Sequence, residues 1–369
     1  MKLLMISKAL VVGAYHKKLD ELDSLGIDLH LVIPTSWGRQ KLEVSGGNEY
    51  KIYPMKVFFN GKNHFHFYRG LSGIINTVKP DIVHIDEEHY TIVTFQAMRL
   101  AKAAGAKTLF FTWQNIYKRY PFPFSWIESY NFRNADVAIA GNIEAKEVLA
   151  KKGFVKEVAV IPQFGVDPKM FQKMESSDLK SQMDIKNNTF IIGFMGRLVE
   201  EKGVLCLVDA VAKLEGEFTL LFIGSGTLKG DILNRAHKLG LLERVKIIDR
   251  VPSIDVPQYL NCFDCLVLPS LTKSNWKEQF GRVLIEAMAC EVPVIGSSSG
   301  EIPNVIGDAG LVFHEGDTAD LTGKLQMLLN DKDLRESLGK KGRERVLNNY
   351  TQKIIASATF EVYKKLLCS

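Results

Sequence analysis

The sequence predicts an α/β protein built from two doubly wound domains. Three observations lead there. Short apolar runs alternate with helical patterns through the first half, the alternation starts afresh at Phe190, and a polar stretch over residues 165–188, carrying Pro168, separates the two series. Strands that are apolar on consecutive positions are buried on both faces, as in a parallel sheet covered by helices. At 369 residues and 46% hydrophobic, the chain has material for two cores.

In the first series, residues 3–9, 29–34, 81–86, 107–113, 136–140 and 158–162 read as strands. Helices are expected over 15–25, 68–78, 92–104, 126–134 and 143–152. The opening run has some character of a signal peptide. Lys8 interrupts it, and Lys17, Lys18, Asp20 and Glu21 follow closely, so a buried first strand is expected instead. In the second series the strands fall at 190–195, 219–223, 245–248, 265–268, 292–296 and 310–313. Helices between them include 204–214, 228–239, 256–261 and 282–289. Residues 317–367 read as helical. The last helix, 353–367, gathers Ile354, Ile355, Ala358, Phe360, Val362, Tyr363 and Leu366 on a broad apolar side. That side needs a partner, and the helix is expected to return to the first domain. The expected division is 1–164, 165–350 and a C-terminal helix over 351–369. Ligands of such sheets bind beyond the carboxyl ends of the strands, so the two domains are expected to face a central cleft.

No apolar run approaches the roughly 20 residues needed to span a bilayer. The five cysteines, Cys206, Cys262, Cys265, Cys290 and Cys368, form no disulfide framework, which suits a reduced, cytoplasmic compartment. Cys262 and Cys265 have C-x-x-C spacing without a second pair or a His cluster, so buried packing is expected rather than a metal or redox site. The net charge is +5. Residues 1–165 hold 21 Lys/Arg against 15 Asp/Glu, and the remainder 26 against 27. A basic first half suits an anionic partner, including the inner face of a membrane, or simply a soluble surface. No nucleic-acid-binding signature accompanies it.

The candidate chemistry lies in the second half. Glu278 and Glu286 stand eight residues apart, the first in a probable loop and the second inside the helix 282–289. A loop-to-helix junction offers backbone N–H groups and a positive helix end to an anion. The strand 190–195 runs into Gly196, Arg197 and, before a helix, Lys202 and Gly203. An Arg fork and a Lys point charge at a helix start suit a diphosphate. The strand ending at Ile223 runs into Gly224-Ser225-Gly226-Thr227, where small residues let a ligand approach the backbone. The strand 265–268 leads through Pro269-Ser270 to the loop of Glu278.

These segments together resemble the family 4 retaining glycosyltransferases, also called group 1 glycosyltransferases, which have the GT-B fold of two Rossmann-like domains. The likeness rests on Gly196-Arg-Leu-Val-Glu-Glu-Lys-Gly203, Ile223-Gly-Ser-Gly226, Glu278 with Glu286 and Ala287-Met-Ala289, and Gly307-Asp-Ala-Gly-Leu-Val-Phe313. Lys79-Pro-Asp-Ile-Val-His84 and Asn134-Ala-Asp-Val-Ala-Ile-Ala-Gly141 extend it into the first half. The resemblance implies a nucleotide diphosphate sugar held mainly by the second domain. It assigns the diphosphate to Arg197 and Lys202, the donor-sugar hydroxyls to Glu278, and sugar or phosphate oxygens to the backbone near Phe280, Gly281 and Arg282. Glu286 takes the ribose, Arg250 and Val251 lie along the base, and Gly13 and Gly224 let the chain approach the donor. No metal or other cofactor is implied. Asp331-Lys-Asp333 has D-x-D spacing but stands between tail helices and reads as a surface join.

The chain departs from the family after the strand 107–113. Many members carry a His there; this chain has Gln114 and Asn115, which hydrogen-bond a hydroxyl but are no bases at neutral pH. The donor phosphate is one alternative proton acceptor. His16, His84 and His89 are other candidates, each also readable as structural. Asp86-Glu87-Glu88 lines the acceptor side or forms a solvated loop. The aromatic and basic run 117–126 suits a membrane surface, a sugar acceptor or plain packing.

The expected activity is a metal-independent, retaining hexosyl transfer to a saccharide or lipid-linked acceptor, in polysaccharide or glycan synthesis. UDP-glucose is the first expected donor and GDP-mannose the second. A nucleotide-sugar epimerase of the same fold and a non-catalytic nucleotide-sugar-binding protein are the alternatives.

Overall fold

The computed structural model describes residues 1–43, 50–186 and 189–368. Residues 1–164 and the C-terminal helix form one compact unit, and residues 165–351 the other.

The strands of the first unit are β1 (Lys2–Ile6), β2 (Asp28–Pro34), β3 (Ser36–Trp37), β4 (Gln40–Lys41), β5 (Lys51–Met55), β6 (Val57–Phe58), β7 (Phe67–Tyr68), β8 (Ile82–Ile85), β9 (Lys107–Thr112), β10 (Val137–Ala140) and β11 (Val158–Val160). Its helices are α1 (Lys17–Asp23), α2 (Leu71–Val78), α3 (Ile92–Ala103), α4 (Phe124–Asn134) and α5 (Ile143–Lys151). Seven strands make one parallel sheet in the order β11-β10-β9-β8-β1-β2-β5, with β3/β4 and β6/β7 as small antiparallel pairs. Leu3 and Met5 of β1 enter one apolar cluster, Leu4 and Ile6 the other. Alternate side chains thus feed cores on both faces, which is why the strand reads as continuously apolar.

β1 ends at Ile6, earlier than its apolar run, because residues 9–11 and 13–15 close into 3-10 turns. β5 was not legible in the sequence. It contains Pro54, which a central strand rejects and this edge position tolerates.

The second unit contains α6 (Ser177–Gln182), β12 (Phe190–Met195), α7 (Val204–Val211), β13 (Phe218–Ile223), α8 (Lys229–Lys238), β14 (Val245–Ile248), α9 (Val256–Leu260), β15 (Cys265–Leu268), α10 (Arg282–Ala289), β16 (Val294–Ser297), α11 (Ile302–Ile306), β17 (Leu311–Phe313), α12 (Thr318–Asn330) and α13 (Lys332–Asn349). Its six parallel strands run β14-β13-β12-β15-β16-β17. Both units are therefore Rossmann-like, and the protein has the GT-B fold. α6 lies inside the stretch read as linker. Cys262 and Cys265 are buried free thiols, and burial pushes Cys262 up to about 11.

α14 (Gln352–Cys368) packs against α1 and sends Ile355, Ala356, Val362, Tyr363 and Leu366 into the cluster that holds Leu19 and Leu22. Burying the larger aliphatic side chains among them, Ile355, Val362 and Leu366, is worth about 2 kcal/mol each, which fixes the tail on the first unit.

Candidate functional site

The strand order of the second unit reverses direction between β12 and β15, the crevice position of a doubly wound sheet. The turns after these two strands meet. Beyond β12 the chain passes Arg197 and closes a 3-10 turn over Glu200–Lys202. Leu271 N–H donates to the Glu201 carbonyl at 2.9 Å, tying this turn to the loop after β15. Gly203 makes the approach possible. Its φ is +65°, and a Cβ there would stand 1.8 Å from the Pro269 oxygen.

This junction brings Lys202 onto Glu278. Lys202 Nζ donates to Glu278 Oε2 at 2.5 Å, and Ser270 Oγ donates to the same oxygen at 2.8 Å. Lys202 Nζ also stands 5.1 Å from the centre of the Trp276 ring. Glu278 and Ser270 are both buried. Behind them, Ser297 Oγ donates to the Ser270 carbonyl at 2.5 Å, and Glu301 N–H donates to the Glu278 carbonyl at 3.1 Å. Gly300, at φ +55°, admits that carbonyl, since a Cβ would be 2.0 Å from it. Ser270, Trp276, Ser297 and Gly300 were not singled out from the sequence. The only sequence signal was Ser270 at a strand end and a Ser-Ser-Ser-Gly run before Glu301.

Arg197 shares the β12 turn with Lys202 but points its guanidinium outward. It is 62% exposed and 3.1 Å from Glu201. Glu286 lies on α10, which begins at Gly281 in the left-handed region without a capping side chain. Its Oε1 is 2.7 Å from Arg282 Nε, one turn earlier. Burial pushes the Glu286 carboxyl up, and Arg282 opposes this. Phe280 is buried and stacks edge-on with Tyr350 at 5.7 Å. Arg250 and Val251 follow the edge strand β14.

The glycines after β13 have a different local reason from the one read in the sequence. A Cβ on Gly224 would lie 1.9 Å from the Gly196 oxygen, and one on Gly226 2.2 Å from the Leu198 oxygen. They let two neighbouring turns pack on each other, before any question of a ligand. Gly13 in the first unit donates its N–H to Glu43 Oε2 at 2.8 Å, so a carboxylate meets that amide in this structure.

The acceptor-side candidates lie in the first unit, around the strand reversal between β1 and β8. Asp86, Glu87 and Glu88 follow β8 and are not a solvated loop. Asp86 Oδ2 accepts from Ser7 Oγ at 2.6 Å and Gln163 Nε2 at 2.9 Å. Burial pushes its carboxyl up to about 6, against the pull of Lys18. Glu87 is bound by the Lys8 ammonium. Burial alone would raise it, but Lys8 and His66 hold it down to about 2. Glu88 accepts from Thr112 Oγ1 at 2.6 Å and Trp113 N–H at 2.9 Å. Gln114 Nε2 donates to Tyr120 Oη, and Asn115 Nδ2 to Glu144; both residues are buried. The three histidines are built into the fold. His16 bonds the Leu10 carbonyl, His84 the Tyr363 hydroxyl and His89 the Glu128 carboxylate.

A model of the glycosyl transferases group 1 matches residues 175–345, and one of glycosyltransferase family 4 matches residues 17–169. The capsular polysaccharide biosynthesis glycosyltransferase CapM of Staphylococcus aureus is 28% identical over 239 residues, 63% of this chain and 61% of that protein. The N-acetyl-alpha-D-glucosaminyl L-malate synthase of Bacillus anthracis is 31% identical over 216 residues, 58% and 55% of the two chains. The matched segment thus spans less than two thirds of the length of these curated relatives. Among solved structures, Anabaena HepE in complex with UDP superposes with a TM-score of 0.79 at 17% identity. The likeness covers 99% of this chain and 100% of that one. At that identity it establishes the fold alone.

Proposed function

Because the chain belongs to the group 1 glycosyltransferases, we propose that it transfers a hexose from a nucleotide diphosphate sugar, with retention and without a metal, to a saccharide or lipid-linked acceptor in glycan synthesis. The observation that carries the reading is the Lys202–Glu278–Ser270 cluster at the strand reversal of the second unit. A cation held beside a carboxylate, next to a turn bearing Arg197, is what a sugar joined to a diphosphate requires.

In this reading the second unit binds the donor and the first the acceptor. Lys202 and Arg197 neutralise the diphosphate as it departs. Glu278 accepts from the donor-sugar hydroxyls, and Lys202 links the two by contacting both. Glu286 accepts from the ribose, Arg250 and Val251 border the base, and the start of α10 at Phe280, Gly281 and Arg282 meets oxygens of the sugar or phosphate. Gly13 of the first unit approaches the diphosphate, and Gly224 shapes the wall.

The bond from the sugar's anomeric carbon to the diphosphate breaks through an oxocarbenium-like state. The acceptor oxygen bonds that carbon on the face the diphosphate leaves. The acceptor proton passes to an oxygen of the departing diphosphate, so no His need stand where Gln114 and Asn115 do. Those two, with Asp86 and His16, are assigned to the acceptor side.

UDP-glucose is the proposed donor and GDP-mannose the second choice; HepE is described in complex with UDP and with UDP-glucose. The enzyme is assigned to the cytoplasmic side, and among the described residues no helix is long and apolar enough to cross a membrane. Incubation with a panel of nucleotide sugars tests the reading. Release of UDP or GDP dependent on Lys202 is expected. Absence of turnover with every donor, together with absence of UDP or GDP binding, would overturn it.

A further inference from the structure

The loop between β15 and α10 presents an indole to the Lys202 ammonium, and the chemistry described so far gives that ring no task. Trp276 lies two residues before Glu278, and its ring centre is 5.1 Å from Lys202 Nζ. The side chain is half-buried. An indole face carries negative charge density and attracts a cation more strongly than any other aromatic side chain does.

The backbone fixes where this ring stands. Lys273 N–H donates to the Trp276 carbonyl at 2.7 Å, and Trp276 N–H donates to the Lys273 carbonyl at 3.3 Å. The two bonds close a tight turn over Ser274 and Asn275. Side chains anchor the turn at two places. Thr272 donates its N–H and its hydroxyl to Glu315 Oε2, at 2.9 and 2.8 Å. Lys273 Nζ donates to Glu200 Oε1 at 2.7 Å. With Leu271 N–H on the Glu201 carbonyl, the loop engages Glu200, Glu201 and Lys202 in succession. The turn that bears Lys202 and the loop that bears Trp276 are thus held in one register.

The ammonium itself makes that register matter. A lysine head has three N–H donors on a flexible four-carbon stem. One N–H goes to Glu278 Oε2. The indole face attracts another side of the same positive head. With a carboxylate on one N–H and a ring on another side, the third N–H has one orientation in place of many.

We infer, resting on the assignment of Lys202 to the donor diphosphate, that Trp276 is a positioning residue for donor cleavage. It holds the Lys202 ammonium so that the remaining N–H meets an oxygen of the departing diphosphate. A cation oriented in advance stabilises the charge that develops as the bond to the anomeric carbon breaks, with no reorganisation at that moment. The gain belongs to the transition state more than to the bound donor, so it falls on kcat and spares KM.

Substitution at this position tests the role. Trp276→Phe and Trp276→Tyr keep an aromatic face, whereas Trp276→Leu keeps apolar bulk without one. Hydrolysis of UDP-glucose or GDP-mannose needs no added acceptor and reads the same bond breaking. Trp276→Leu should lower kcat on the order of tenfold, with KM and UDP affinity within about twofold of the parent. Trp276→Phe and Trp276→Tyr should restore most of that loss, and circular dichroism should be the same for all. Trp276 is the one tryptophan among residues 165–351, the others being Trp37, Trp113 and Trp126. UDP should therefore shift the tryptophan emission of the parent, and Trp276→Phe should remove the shift while calorimetry still records UDP binding. Equal kcat in the leucine and phenylalanine variants, a rise in KM without a fall in kcat, or UDP binding that leaves the parent's emission unchanged would each overturn the role of Trp276 and leave the donor assignment standing. A parent that neither binds UDP or GDP nor hydrolyses either donor would bring down that assignment, and the role of Trp276 with it.

Discussion

Lys202 Nζ lies 2.5 Å from Glu278 Oε2, although 76 residues separate them in the chain. The pair joins the turn after β12 to the loop after β15, and both side chains are largely shielded from water. Such a pair is not built for stability alone, since hydrophobic residues of the same size would serve as well. Removing the cation leaves a buried carboxylate without its ammonium. Lys202→Ala should therefore lower kcat/KM by on the order of 10²-fold or more. It should also cost about 3 kcal/mol of stability. Steady-state kinetics and denaturant unfolding on the same preparation separate the two effects. Arg197→Ala should lose turnover with almost no change in stability, because its exposed pair with Glu201 is worth little. Turnover of both variants within a few-fold of the parent would remove them from the chemistry.

Gly203 holds that pair in place through geometry alone. Any side chain there is strained at φ +65°, and its Cβ would overlap the Pro269 oxygen at 1.8 Å. Gly26 provides the comparison, at φ +80° with nothing within 4 Å. Gly26→Ala should cost about 1–2 kcal/mol, the left-handed penalty by itself. Gly203→Ala should cost clearly more, because the turn must also move off Pro269, and it should carry Lys202 away from Glu278. Equal melting temperatures for the two variants would count against this account.

The contrast between these residues shows what the sequence conceals. The helix over 282–289 was legible to the residue, because an apolar periodicity declares it. The parallel sheets were legible because strands buried on two faces have no polar alternation. β5 was hidden by its own Pro54, which argues against a strand unless the edge position is already known. At the site, Arg197, Lys202, Glu278 and Glu286 could be named from local motifs and a family resemblance. That Lys202 pairs with Glu278, while Arg197 pairs with Glu201 in solvent, depends on how two distant turns pack. The same packing explains why Gly224 faces the Gly196 carbonyl, and why Asp86, Glu87 and Glu88 are tied down where a solvated loop was equally readable.

Asp86 and Glu87 are neighbours with opposite behaviour, and stability should register both. Burial raises Asp86 from 3.8 to about 6. The folded state therefore favours its protonated form, and that contribution is present below about pH 4 and lost as pH rises through 6. Glu87 is held down from 4.5 to about 2 by Lys8 and His66. Its contribution is present above about pH 4.5 and lost as pH falls through 2. Asp86→Asn should abolish a fall in stability between pH 4 and 6, whose full size is about 3 kcal/mol. Glu87→Gln should flatten the acid limb below pH 4.5 and leave the upper window in place. Urea unfolding across pH 2–7 reads both, and parallel curves for parent and variants would refute the assignments.

The tail is held to the first unit by packing and by a buried polar contact. His84 Nδ1 and Tyr363 Oη are 2.6 Å apart, with both residues fully enclosed between β8 and α14. Burial lowers the His84 pKa well below its ordinary value, and the Lys18 charge adds to this, so the ring stays neutral and can share the hydroxyl proton. Tyr363→Phe keeps the ring in the apolar cluster but leaves His84 Nδ1 buried without this partner. That should cost about 1–3 kcal/mol, the penalty for an unsatisfied buried polar atom. Tyr363→Ala should add the cavity cost of an aromatic side chain, about 3 kcal/mol or more in total. If the hydrogen bond matters, the phenylalanine variant should also show faster amide exchange along α14, because the bond anchors that helix. An unchanged exchange pattern together with unchanged stability would mean that Ile355, Val362 and Leu366 hold the tail by themselves.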